Sequence, residues 1–143
     1  MLASYGHYAW KNYAAVTRHG FGKGDAEWIA TLLDADTIRA VLREAVEHAG
    51  IADAGTALAG QVTVRCGTNA RGEQVTYLLN YSADEVTIDS PVSGDVVVAP
   101  VVVGTDGTVD ESATAAIALK EGSKVEVGDR LTIGRWNVVV IAG

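Results

Sequence analysis

The residues of this chain that could perform chemistry are few, and the first group to weigh is the stretch "RHGFGKGDAEWIATLLD", Arg18 to Asp34. Three glycines around Lys23 suggest a phosphate-gripping loop. A nucleotide loop needs G-x-x-x-x-G-K-[ST] between a strand and a helix, so that backbone N–H groups meet phosphate and the hydroxyl holds magnesium. Lys23 is followed by Gly24, so the hydroxyl is missing, and "AEWIATLL" reads as a strand instead of a helix. The stretch is therefore expected to be a turn, "GFGKG" reversing the chain between "YAAVTRH" and "AEWIATLL".

The other reactive types carry no stronger pattern. His7, His19 and His48 fall on the N-terminal segment, a strand end and a helix end, without paired zinc-ligand spacing. Cys66 alternates with Val62 and Val64 and is expected in the core, not as a nucleophile. Asp84 and Glu85 are adjacent carboxylates, and neighbours at a hairpin tip point apart into solvent. Trp10, Trp28 and Trp136 offer faces that stack on sugar rings, although a core or interface position is the commoner role of a tryptophan and is the one expected here. No residue is assigned as catalytic, cofactor-binding or metal-ligating, and no cofactor is expected.

These groups must be positioned by a chain of 143 residues, enough for one sizeable core or for one domain plus part of another. A net charge of −7 argues against nucleic acid or an anionic membrane surface as partner, because both demand a concentrated basic face. No apolar run approaches the roughly 20 residues that span a bilayer, and Met1 to Trp10 lacks the basic start and apolar centre of a signal peptide. With one cysteine and no internal disulfide possible, the chain is expected in the cytoplasm.

The hydrophobic period changes once. In "DADTIRAVLREAVEHAG", Asp34 to Gly50, the residues Ile38, Val41, Leu42, Ala45, Val46 and Ala49 recur at helical spacing, which predicts one amphipathic helix with that stripe facing a core. Asp34 or Asp36 suits its start and Gly50 its end. Arg39, Arg43, Glu44 and Glu47 form a solvated outer face on which Arg43 and Glu47 can pair. "IADAGTALAG", Ile51 to Gly60, reads as a linker.

Beyond it the period is two. "QVTVRC" and "QVTYLLNY" predict a hairpin across "GTNARGE", with Val62, Val64 and Cys66 on one face, and Val75, Tyr77, Leu79 and Tyr81 sharing a face of the second strand. "EVTI", "DVVVAP", "AAIAL", "KVEV", "RLTI" and "RWNVVVIA" follow as short strands with no second helix. The fold class is mainly β, an α+β arrangement: an antiparallel sandwich or small barrel preceded by a β-hairpin and one amphipathic helix. Residues 1–53 and 57–143 are expected as separate domains.

Two resemblances bear on function. "ALKEGSKVEVGDRLTI", Ala118 to Ile133, is similar to the half-repeat of biotinyl and lipoyl carrier domains, but the cofactor-bearing lysine turn is absent. The wider likeness begins at Tyr5. "YGHYAWKNYAAVTRHGFGKGDAEWIATLLDADTIRAVLREAVEHAGI" resembles the end of the trimerisation region of glycoside hydrolase family 42 β-galactosidases, on Ala15 to Thr17, Gly22 to Gly24, Thr31 and the helix through Ile51. "VTYLLNYSADEVTI", Val75 to Ile88, resembles a strand of the family's small C-terminal β domain. The segment after Pro91 is longer than the family's compact ending.

The resemblance implies that residues 1–53 are the remainder of an α/β trimerisation-type domain and that the whole chain is a non-catalytic C-terminal part of a β-galactosidase. Retaining glycosidases use two carboxyl groups about 5–5.5 Å apart. In this family both belong to a (β/α)₈ barrel, expected upstream of Met1. The implied partners are further copies of the chain, as a homo-oligomer, and the rest of the parent enzyme. A small carbohydrate-binding β module and a complete small enzyme of unknown activity are the alternatives.

Overall fold

The computed structural model describes every residue from Met1 to Gly143 and divides into two compact units, Met1–Ala52 and Asp53–Gly143. In the first, β1 (Ala3–Ser4), β2 (Ala14–Phe21) and β3 (Gly24–Ile29) form a three-stranded antiparallel sheet in that order, followed by helix α1 (Ala35–His48). The β2–β3 ladder runs without interruption from the Val16–Ile29 pair to the Phe21–Gly24 pair, so only Gly22 and Lys23 remain for the turn. Gly22 has φ of 63° in the first of those two positions, where a type II′ hairpin turn requires glycine.

Helix α1 starts where the sequence places it. The Asp34 carboxylate accepts hydrogen bonds from the Asp36 and Thr37 amides, both at 3.0 Å, satisfying donors that have no partner within the helix. At the other end the Gly50 amide donates to Glu47 and the Ile51 amide to Val46, the paired bonds of a Schellman motif. The apolar stripe does not reach the core expected for it, because no residue of α1 is buried. Arg43 and Glu47 do not pair; Arg39 instead joins Asp36 within the first turn.

The second unit begins at a helix cap. Ile51 to Gly60 is not a plain linker: Asp53 caps a short helix α2 (Ala54–Ala57), accepting from the Thr56 amide at 2.8 Å in a capping box. That turn delivers Leu58 and Val62 into the core. Strands β4 (Thr63–Thr68) and β5 (Gln74–Asn80) form the expected hairpin, followed by β6 (Val86–Asp89), β7 (Gly94–Val98), β8 (Lys124–Val125), β9 (Arg130–Ile133) and β10 (Asn137–Ala142). A five-stranded sheet has the order β4-β5-β10-β7-β8, and β6 pairs with β9 in a second, two-stranded sheet. The mainly β, sandwich-like class is therefore as expected.

The two sheets of this unit share one core. Val64, Leu78, Val96, Val125, Val139 and Ile141 come from the larger, and Ile88, Leu131 and Ile133 from the smaller. Leu78, Val139 and Ile133 are wholly buried, each side chain contributing about 1.5–3 kcal/mol by leaving water. The face of β5 is the reverse of the one expected. Thr76, Leu78 and Asn80 are buried while Tyr77 is exposed, because Val64 of β4 lies opposite Leu78.

Two further expectations fail in this unit. "AAIAL" is not a strand, since Asp110 accepts from the Ala113 amide at 2.9 Å and starts a short helix α3 (Glu111–Ala116). Cys66 is exposed beyond the end of the packed face, its sulfur 3.9 Å from the Thr76 hydroxyl.

Close packing fixes one glycine. Gly94, at the start of β7, lies so near β10 that a Cβ built on it would be 2.3 Å from the Ala142 carbonyl oxygen.

Candidate functional site

In the first unit the chemistry gathers on Arg18, which sequence reasoning passes over. On β2 its Nε donates to the Glu27 carboxylate of β3 at 2.7 Å, as the pairing of Arg18 with Glu27 across the ladder requires. Its other nitrogen reaches Glu44 of α1. One cation thus holds two carboxylates, and the hydrogen bond from Arg18 keeps the Glu44 carboxyl below its usual range. The Arg18 guanidinium is in turn held protonated, first by Glu44 and then by Glu27. A glycosidase acid needs a carboxyl raised above its ordinary value. Glu44 is shifted the other way, and the cluster ties a helix to a hairpin.

A second link lies alongside. His48, in the last turn of α1, places Nε2 2.6 Å from Asp25 of β3. The remaining histidines stand apart from it. His7 accepts the Ala9 amide at 3.2 Å, and His19 is exposed on β2. No group of three or more histidine, cysteine, aspartate or glutamate side chains is arranged to hold a metal ion.

Lys23 sits on the turn itself. Asp84 and Glu85 occupy the connection between β5 and β6, where the Asp84 carbonyl accepts from the Ser82 hydroxyl at 2.7 Å and from Asn80 Nδ2 at 2.8 Å. Asn80 is nearly sealed from solvent and also donates to the Ile133 and Gly134 carbonyls, at 3.1 and 2.9 Å. It staples the β5 end to the β9–β10 connection. That connection contains Trp136, the only residue other than glycine with positive φ, at 52°. Its amide donates to the Ser82 carbonyl at 3.1 Å while its ring is exposed.

Aromatic side chains form the most site-like arrangement. "YGHYAWKNY", Tyr5 to Tyr13, holds four of the nine phenylalanine, tyrosine and tryptophan residues. The segment is a closed loop between β1 and β2, fastened by the Tyr5 amide on the Tyr13 carbonyl at 3.3 Å. Inside it, Trp10 bonds to His7 at 3.0 Å and Tyr13 to Trp10 at 2.9 Å. Tyr5, Trp10 and Tyr13 line a hollow of about 430 Å³ with Ala14 and Ala30. Of these rings, the tryptophan was the one that its type alone singles out. The signal for the other two is their density in a segment without helical or strand period.

The first unit also keeps an open groove of about 610 Å³ between its sheet and α1, lined mainly by apolar groups including Leu2, Ala15, Val16, Leu33, Ala40 and Val41. Trp28, Phe21 and Leu32 stay exposed. In the second unit a hollow of about 440 Å³ is bounded by Pro100 to Val103, with Glu85 and Arg135 as its charged members. No helix is long and apolar enough to cross a membrane.

No protein-family model matches the chain, and no curated protein matches it in sequence.

Proposed function

We propose that the chain is a non-catalytic scaffold part of a glycoside hydrolase family 42 type β-galactosidase, whose first unit associates with further copies of itself and with the rest of the enzyme. One observation carries the scaffold role: α1 is amphipathic, capped at both ends, and buries no residue. A helix gains most of its stability in a protein by packing an apolar face, so a stripe left open between Ile38 and Leu42 is built for a surface that covers it. The open groove beside it and the exposed Trp28, Leu32 and Phe21 support the same reading.

The family is carried by the resemblance of Tyr5–Ile51 and Val75–Ile88. The second unit, with one continuous core of its own, folds as the supporting β domain.

The test is hydrolysis of a chromogenic galactoside by the purified chain. The scaffold role predicts no turnover, and turnover that survives removal of every trace of longer enzyme overturns it. For the family, the reading frame upstream of Met1 should encode strand–helix repeats of a (β/α)₈ barrel, typically about 250 residues. A frame encoding another fold there sets the family aside.

A further inference from the structure

The aromatic hollow of the first unit is independent of the scaffold role, and its geometry points to a ligand. Trp10 and Tyr13 have ring centroids 5.8 Å apart and planes inclined by 53°, a tilted pair in contact and not a parallel stack, so each keeps an outer face to solvent. The Tyr5 hydroxyl donates to the Ala30 carbonyl at 2.7 Å, which fixes that ring against the end of β3 and leaves its oxygen free to accept. Large rings ordinarily bury most of their area, yet Trp10 is 56% and Tyr13 61% exposed.

The lining decides the class of ligand. Tyr5, Trp10, Tyr13, Ala14 and Ala30 include no charged side chain, so the hollow has nothing to neutralise a phosphate or carboxylate and no carboxylate to hold a cation. Stacked nucleobases are disfavoured by the net charge of −7, which repels the phosphates that accompany them. What remains complementary is a neutral molecule with an apolar face for the rings and hydroxyls for the phenol and indole groups. The volume of about 430 Å³ lies within the range of small-molecule sites.

We propose that the Tyr5–Trp10–Tyr13 hollow binds a neutral saccharide by stacking the C–H face of a pyranose ring on Trp10. An exposed, preformed aromatic pair with few polar groups gives weak binding, with Kd on the order of 1–10 mM.

The chain has three tryptophans, so its indole N–H resonances are resolved reporters of each. The full chain, labelled with ¹⁵N, is titrated separately with lactose, cellobiose and maltose. The expected result is a saturable shift of the Trp10 indole with at least one sugar, with Trp28 and Trp136 unmoved. Tyr13→Ala should weaken the Trp10 response at least about ten-fold, and Trp10→Ala should abolish sugar-dependent shifts of the Tyr5 to Tyr13 backbone amides, while the resonances of β4 to β10 stay in place. Tyr13→Ala keeps the reporter should Trp10→Ala disturb the loop. Absence of a shift with all three sugars overturns the proposal, as does an equal response in Tyr13→Ala. It is also overturned if the Trp10 indole responds only to protein concentration, making a second copy the occupant, or only to a proline-rich peptide. Galactoside hydrolysis reports on the scaffold role and leaves this titration unaffected, so the two can fail separately.

Discussion

Arg18 of β2 and Glu44 of α1, twenty-six residues apart in sequence, are joined directly, and the same guanidinium holds Glu27 of the neighbouring strand. With no buried residue on α1, this fork and the His48–Asp25 contact are the polar links that seat the helix against its sheet. Replacing Arg18 by Met leaves both carboxylates without their cation. Amide exchange along α1 should then quicken by at least about ten-fold while β4, β5 and β10 exchange as before. Arg18→Lys should recover only part of the protection, because an ammonium lacks the planar fork. Unchanged exchange in α1 would show that apolar contacts alone hold the helix.

Acid should act on the helix ends before it acts on the sheets. The Asp34 carboxyl is held below the ordinary value of 3.8 by the Thr37 hydroxyl and then by backbone amides. Asp53 is lowered by the Thr56 amide and hydroxyl, and Glu44, ordinarily 4.5, by Arg18. A depressed folded value means that the stabilisation is fully present above the unfolded value and is lost as pH falls through the folded one. Helical circular dichroism should therefore hold steady from neutrality down to about pH 5 and decline below about pH 4. A decline centred between pH 6 and 7 would instead mark histidine as the controlling group.

The β7–β10 junction leaves no room for a side chain. Gly94→Ala places a methyl group 2.3 Å from the Ala142 carbonyl oxygen and 2.9 Å from Ile141 Cγ2, both within the packed sheet. The Ala142 carbonyl cannot move without disturbing the ladder between β7 and β10. The substitution should destabilise the second unit by about 2 kcal/mol or more, read from its urea midpoint. A midpoint within experimental error of the parent would contradict the close approach.

Trp136 has the opposite sign. A tryptophan in the left-handed region costs roughly 1–2 kcal/mol that glycine does not incur, and its exposed ring returns little. Glycine's extra freedom in the unfolded chain offsets about half of that gain, so Trp136→Gly should leave the fold intact and raise the melting temperature of the second unit by about 4–8 °C. A lowered melting temperature would mean that the ring packs more than its exposure indicates.

Sequence alone reveals the features that rest on local chemistry. The Gly22–Lys23 turn, the Asp34 cap and the β4–β5 hairpin depend on residues within a few positions of each other. The inverted face of β5 shows where that stops. "VTYLLNY" carries apolar groups at both parities, so alternation does not choose between Leu78 and Tyr77. The choice is made by Val64 on the neighbouring strand and by the three carbonyls that Asn80 reaches. Similarly, Ala115 to Leu119 has an apolar composition that suits a strand, and the Asp110 cap converts its beginning into a helix turn.

The candidate sites divide in the same way. The absence of a hydroxyl after Lys23 is legible from one position. The Arg18 fork needs the strand register and the placement of α1 together, and the aromatic hollow needs the loop closure between Tyr5 and Tyr13. Neither leaves a spacing motif, because the partners meet through tertiary structure.

Sedimentation equilibrium over a wide range of protein concentration tests the scaffold role most directly. The account predicts a mass that climbs above the 14.9 kDa of a single chain and returns to it when the open stripe of α1 is made polar by Ile38→Glu with Leu42→Glu. A mass of one chain at every concentration would contradict it.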